Sequence, residues 1–315
     1  MTTTAVTTTY YLALTATHVA NSTMLAPRLS HALAAVRGPS PPQAVEVDLN
    51  GCRFLEPWCL VALACVLQAY HQRGARVVVC PVAHNQQLHR YLTNIGFYTH
   101  WTPGHDRSIY APAHIQTTLN LWQVTPEMID YYAMEARQYY ARHFFPERSL
   151  DALSVCLVEQ FNNISNHARS EVGGYCLTQF YPKKNRLVTS VCDLGVGIPA
   201  ALNAYWTTHG HEALPETDAL RAALRHRVTS KTTPQNQGRG LHTLCLNAGT
   251  LRGSIRFHST FAAYYQAPQP LPHPAPTGVH WATSDAFPGT LITLELDVTA
   301  LPAAEVEVLD TDFDF

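Results

Sequence analysis

Three stretches of this sequence hold the residue types that chemistry needs: VEQFNNISNHA at 158–168, CDLGVGIP at 192–199 and NQGRGLHTL at 236–244. In the first, Glu159, Asn163 and His167 recur at i, i+4 and i+8, so on a helix they project from one stripe. Leu153, Cys156, Leu157, Phe161 and Ile164 take the other positions and would face a core. A solvated polar face is the ordinary explanation for such a stripe when it stands alone. The second stretch closes a strand-like run, RLVTSVCD, whose last residue is Asp193, and passes into Gly195 and Gly197 ahead of Ile198. Glycines there allow backbone angles and close approaches that a Cβ forbids. In the third, Gly238, Arg239, Gly240 and Leu241 open a predicted helix, LHTLCLNAG, and a helix N-terminus with glycines offers free N–H groups to a phosphate. A fourth feature, Pro288-Gly289-Thr290 before LITLELDV, puts a threonine at the start of the last predicted strand.

Those segments need a scaffold, and the apolar periodicity supplies one. A helix is predicted from about 126 to 146 (PEMIDYYAMEARQYYARHFF) and another over 150–168. The first third of the chain alternates strand and helix: a strand near 10–18, a helix near 25–36, the strand AVEVDL at 44–49, and a helix at 57–72 opened by proline and ended at Arg73-Gly74. The strand ARVVVC, a polar helix at 84–95 and, after Gly96, a short strand FYTHW complete about 100 residues. That rhythm argues for helices packed on a sheet. Residues 101–125 are polar and proline-punctuated and read as a link between two halves.

The composition narrows the function. A 315-residue chain exceeds one average core, so one large or two medium domains are expected. A formal net charge of −2 offers no long-range attraction to a phosphate backbone, and no helix-turn-helix or basic patch is present, so nucleic-acid binding is not expected. The N-terminal run carries no basic residue ahead of its apolar stretch, and no later segment approaches the roughly 18 apolar residues of a membrane span. A cytoplasmic, non-membrane protein is expected. The eight cysteines stand singly without a C-x-x-C pair and read as buried free thiols. Neither His209 and His211, which flank a glycine, nor any other histidine forms a metal-ligand cluster, and His143 lacks the surroundings of a phosphoacceptor. The G-x-x-x-x-G-K-[ST] loop is absent, so this is not a P-loop protein.

Taken together, Glu-x-x-x-Asn-x-x-x-His, Asp-x-Gly-x-Gly-Ile, Gly-x-Gly-Leu and Gly-Thr resemble the nucleotide-binding boxes of the GHKL (histidine-kinase-like) ATPases, the superfamily of gyrase, the heat-shock chaperone and the histidine kinases. The resemblance spans about 126–298. It implies that Asn163 ligates Mg2+, that Asp193 accepts a hydrogen bond from the adenine amine, and that Gly195 and Gly197 let adenosine approach. It further implies that Gly238 and Gly240 cap the phosphates and that Thr290 supports the adenine end, with His167, Ile198, Arg239 and Leu241 completing the boxes. Glu159 corresponds to the carboxylate that orients or deprotonates water or a hydroxyl in the hydrolysing members and in the anti-sigma kinases. The order of elements around DLNGCRFLEPWCLVALACVL resembles a STAS domain, the fold of anti-sigma-factor antagonists. Asp48 and Phe54 fit that family, but Glu56 stands where its aspartate would be and Pro57 where its phosphorylated serine would be, so phosphate regulation at that position is chemically impossible.

The expected architecture is therefore α/β with two domains: a STAS-like layer at 1–105, a linker at 106–125, a GHKL sandwich at 126–300 built on a mixed sheet with helices on one face, and an acidic tail at 301–315. About 40 residues separate Ile198 from Gly238, long for a loop, and such loops tend to be lids. That segment carries its own helix, PETDALRAALRHR, and Arg225, Arg227 and Lys231 form a basic group that reaches phosphates or is simply a solvated face, with Lys231 the first choice for a lid contact. The proline-rich insert at 266–277 is a docking strip or a spacer. The function expected is Mg2+-dependent ATP binding with hydrolysis or Ser/Thr phosphorylation, in a bacterial-type regulatory system, with a protein partner met through the STAS-like layer or the lid, or a homodimer. The alternative is an ATP-gated interaction switch with little turnover.

Overall fold

The structure is a computed structural model that describes residues 8–105, 112, 114–225, 240–268 and 278–304. It begins with strand β1 (Thr9–Thr15), helix α1 (Ser22–Arg37), strand β2 (Ala44–Gly51), helix α2 (Pro57–Gln72), strand β3 (Arg76–Val79) and helix α3 (Gln86–Asn94). α1 starts where the Asn21 side chain accepts the Met24 N–H at 3.0 Å, and α2 starts on Pro57, whose missing N–H costs nothing in a first turn. β1, β2 and β3 pair in parallel, as strands joined through helices must.

The second half contains strand β4 (Trp122–Val124), helices α4 (Ile129–His143) and α5 (Asp151–Asn163), strands β5 (Gly174–Tyr181) and β6 (Arg186–Asp193), helices α6 (Ile198–Thr208), α7 (Glu216–Ala223) and α8 (Gly240–Thr250), and strands β7 (Ser254–Gln266) and β8 (Val279–Asp297). Its five strands lie in the order β4-β5-β6-β8-β7, and every pairing is antiparallel, where a mixed sheet was expected. The reason is local pairing: β5 and β6 are joined by a tight turn through Asn185 in the left-handed region, and β7 pairs with β8 from Ser254 to Tyr265.

The second half's own helices α4, α5 and α8 lie on one face of this sheet, as expected, and its other face is covered by α1 and α2 of the N-terminal half. Cys176, Val191, Phe257 and Ile292 face a core shared with Tyr132, Tyr140, Phe161 and Leu244 of α4, α5 and α8. On the opposite face Tyr175, Leu177, Cys192 and Leu291 share a core with Leu25, Leu29, Leu60 and Leu63 of α1 and α2. α1 lies against β8, and α2 against β5 and β6. The parallel sheet, α1 with α2, the antiparallel sheet, and α4 with α5 and α8 thus form four successive layers. α2 explains why this works: every residue from Pro57 to Tyr70 is buried, the signature of a helix with protein on all sides.

Three local expectations differ. The predicted strand at 97–101 is a series of turns, because Phe97 and Trp101 are buried at helical spacing and meet edge to face at 5.4 Å. The helix predicted over 150–168 stops at Asn163 and widens into a π turn, Ile164–Ala168, closed by Arg169 with φ of 51°. β4 lies inside the stretch read as a link. All eight cysteines are free. Among the described residues no helix is long and apolar enough to cross a membrane.

Candidate functional site

α5 forms because Leu153, Cys156, Leu157, Gln160 and Phe161 make a continuous buried face. Glu159 lies on its flank, and partial burial raises its carboxyl above the ordinary carboxylate range. Asn163, the last α-helical residue, is partly exposed, but its Nδ2 is buried without a hydrogen-bond partner. One turn earlier, Gln160 is wholly buried and donates through Nε2 to the Cys156 carbonyl at 3.2 Å, while its Oε1 has no partner. The π turn that follows is the kind of irregularity that recurs at functional sites.

β6 ends on Asp193, which is 5% exposed. Its Oδ1 accepts the Gly195 N–H at 2.8 Å, and the Thr290 N–H also donates to the carboxylate. Burial outweighs both hydrogen bonds and pushes the carboxyl up to about 7. Gly195 must be glycine: a Cβ would fall on the backbone of Ala168 in the π turn, whose carbonyl accepts the Val196 N–H at 2.8 Å. Gly197 has φ of 83°, and a Cβ there would lie 2.6 Å from Thr260 Cγ2 and 3.0 Å from Ser259 Oγ. Ser259 then caps α6, its Oγ accepting the Ile198 N–H at 2.8 Å. Ile198 and Leu241 both pack at the seam between the main core and a small cluster of Leu202, Ala219, Ala222 and Ala223.

Thr290 sits opposite Asp193 in the β6–β8 register, and its Oγ1 is 2.9 Å from Ser259 Oγ. Gly289, with φ of 131°, brings its backbone onto Asp193 and Leu194 where a Cβ would collide. At the start of α8, a Cβ on Gly240 would meet the Glu159 carboxylate. Glu159 is thus joined to Gly240, Ala168 beyond Asn163 to Gly195, and Asp193 to Gly289 and Thr290. Lys231, Gly238 and Arg239 lie outside the described residues, as does the side chain of His167.

Sequence reasoning passed over several participants. Ser259 links α6 to Thr290, and Ser170 accepts the Leu194 N–H through Oγ at 3.3 Å. Thr260 has φ of 51°, an unusual angle for a β-branched residue, at a shift in the β7–β8 register. Its hydroxyl and the Phe261 N–H both donate to Glu216 Oε2, which pins α7 to β7. The one signal for Ser259 and Thr260 was polar residues inside an otherwise apolar strand, FHSTFAAYY. Among the described residues no group of three or more His, Cys, Asp or Glu could hold a metal ion.

Chemically, the arrangement offers a half-buried carboxylate, a partly exposed amide, a buried carboxylate able to select a hydrogen-bond donor, and the first N–H groups of α8. Comparison with protein-family models and with curated proteins gives no match for this sequence.

Proposed function

We propose that this chain is a Mg2+-dependent ATP-binding protein of the histidine-kinase-like ATPase type that hydrolyses ATP or phosphorylates a protein hydroxyl. One observation carries the reading: Glu159, the π turn after Asn163, Asp193 and Thr290 are joined through Gly195, Gly240 and Gly289, three glycines at which a Cβ would collide with backbone or carboxylate. Core packing alone gives no reason for three such contacts to link polar residues drawn from four segments.

The residues fit the groups they would hold. Asn163 is partly exposed with its amide nitrogen buried, an arrangement suited to offering the amide oxygen to a hard cation, which needs only one or two protein oxygens beside phosphates. When bound, Mg2+ would neutralise phosphate charge. Asp193, ionised, only accepts hydrogen bonds and so selects an amine over a carbonyl, favouring adenine over guanine. The N-terminal turn of α8 presents N–H groups to phosphate. Glu159, its affinity for protons increased by burial, takes a proton from water or a hydroxyl. The STAS-like layer supplies a surface for a protein partner, without a serine at position 57 to be phosphorylated.

A second reading, an ATP-gated switch with little turnover, draws on one feature: Gly240 lies so close to the Glu159 carboxylate that not even a methyl group fits between them. Calorimetric titration with MgATP tests the site, and phosphate release separates the two readings. Removing one charge-assisted hydrogen bond should cost about 1.5–3 kcal/mol, so Asp193→Asn should weaken ATP roughly 10- to 100-fold and narrow the preference for ATP over GTP, because the amide also donates. Glu159→Ala should keep binding and lose turnover. Wild-type ATP affinity in Asp193→Asn and in Asn163→Ala together would overturn the assignment.

A further inference from the structure

Helix α4 buries Ile129, Tyr132, Ala133, Ala136 and Tyr140 in the core it shares with α5 and turns its other side outward. Along the centre of that outward side run Tyr131, Met134, Gln138 and the partly exposed Ala141, at the alternating three- and four-residue spacing of a coiled-coil seam. Tyr131 is 45% exposed and Met134 42%. Beside them lies α5, which returns antiparallel after a short connection and is tied to α4 by Arg137 and Asp151 at 3.1 Å. Val155, one turn beyond Asp151, therefore comes alongside Met134, one turn before Arg137, and it is 44% exposed. Apolar residues scattered singly on a surface need no explanation, but large ones adjoining on two helices at seam spacing do.

The charges beside the seam are ordered. One flank carries Asp130 and, a heptad later, Arg137; the other carries Glu135 and, a heptad later, Arg142. Each flank thus has its acid toward the start of α4 and its base toward the end. That order suits the macrodipole of any helix, but the macrodipole gives no reason for Tyr131 and Met134 to stand in water between the flanks. Among the described residues neither Glu135 nor Arg142 enters a salt bridge.

We infer that this face binds the same face of a second copy of the chain, with the two α4 helices antiparallel about a twofold axis. A twofold interface joins one patch to itself, so the patch must be self-complementary. In an antiparallel pair like flanks meet: Glu135 faces Arg142 of the second copy, and Asp130 faces its Arg137. Along the seam the large Tyr131 meets the small Ala141, and Met134 meets Gln138. A parallel pair would instead bring Asp130 to Glu135 and Arg137 to Arg142, like charge to like. A partner of unrelated sequence would require no such internal symmetry. Tyr131, Met134, Glu135 and Arg142 take no part in the proposed nucleotide site, so the interface stands or falls apart from that reading.

Sedimentation equilibrium of the full chain across the micromolar range, without nucleotide, measures the association directly. The wild type should reach a dimer and no larger assembly, because a twofold contact closes on itself. Met134→Glu should raise the dimer dissociation constant at least about a hundredfold, since it sets a charge in the seam from both copies. Glu135→Arg and Arg142→Glu should each raise it about tenfold, because each reversal acts twice across the axis, and the double variant should return to the wild-type value. That recovery separates a broken interface from a broken fold, which a second reversal does not repair. A chain that stays monomeric throughout the range would overturn the proposal and leave the face to another occupant. So would a dimer that Met134→Glu does not weaken, or a double variant no tighter than either single reversal.

Discussion

α2 and α5 press on opposite faces of the same antiparallel sheet, yet they treat their buried polar groups differently. Gln68, the buried polar residue near the end of α2, accepts the Tyr175 hydroxyl at 2.9 Å, and that hydroxyl also meets His100 Nε2 at 3.0 Å. On α5, Gln160 Oε1 and Asn163 Nδ2, an acceptor and a donor one turn apart, are both buried and unpartnered. Folded proteins satisfy nearly all such groups, so the exceptions call for a cause. α2 is a structural joint closed on all sides, whereas the end of α5 is an element left incomplete by the protein itself. Polar burial with partners marks architecture on α2, and the nucleotide site proposed above lies where α5 leaves such groups without them.

The largest effect should come from the joint. Leu63 of α2 is fully buried in the core that contains residues of both sheets. Leu63→Ala should cost about 2–5 kcal/mol, by lost burial plus the cavity left behind. Because that core is continuous, denaturant unfolding followed by probes in each half should move together to lower midpoints. A shift confined to the N-terminal layer would show that α2 serves one sheet only, and the comparison with α5 would lose its first term.

The next effect belongs to the incomplete side. The Asp193 carboxyl is raised to about 7 from 3.8, so the fold favours its protonated form. The stability this contributes is fully present below about pH 4 and is lost as the pH rises through 7, by a few kcal/mol at most. Asp193→Asn removes that loss. Thermal melts should find the variant no more stable than wild type at pH 4 and more stable at pH 8. ATP affinity should move the other way, since the variant exchanges a charged acceptor for a neutral amide. In the wild type, affinity should fall as the pH drops below 7 and the carboxylate is protonated. Parallel pH curves for the two proteins would remove Asp193 from the strained, ligand-seeking side of the molecule.

How far the sequence reveals these features depends on whether the cause is local. The bounds of α2 were readable because Pro57 opens it and Arg73-Gly74 ends it. Asp193 at a strand end followed by glycines was equally plain, since a turn needing Gly197 at φ of 83° is a local requirement. The second surface against α2 was not readable: apolarity on every side shows that something covers it, not that β5 and β6 do. α6 escaped detection because Pro199 and Leu202 are its only fully buried residues, too few to give a period. Ser259 and Glu216 owe their roles to contacts across 31 and 45 residues, to Thr290 and Phe261 respectively, which no spacing rule encodes. The same holds for Gly240, whose necessity comes from Glu159, a residue on a different helix.

The smallest effect is the most direct test of the contrast between the two helices. Gln68→Leu strips the Tyr175 hydroxyl of one partner in a buried place, at a cost of about 1 kcal/mol after its remaining bond to His100 is counted. Gln160→Leu instead deletes an acceptor that has no donor, gives up a single hydrogen bond to the Cys156 carbonyl, and replaces an amide by an apolar group of similar size in a wholly buried position. Its cost should be near zero or slightly negative, because swapping an unsatisfied polar group for an isosteric apolar one recovers desolvation. Chemical denaturation of both variants, with and without MgATP, resolves the pair. If Gln160→Leu proves the more destabilising without nucleotide, the unpartnered oxygen on α5 has a partner in solution and the distinction between the two helices is lost. If it is neutral without nucleotide but diminishes the stabilisation that MgATP confers, the buried amide is held for the bound state, and the incomplete end of α5 is where the ligand completes the fold.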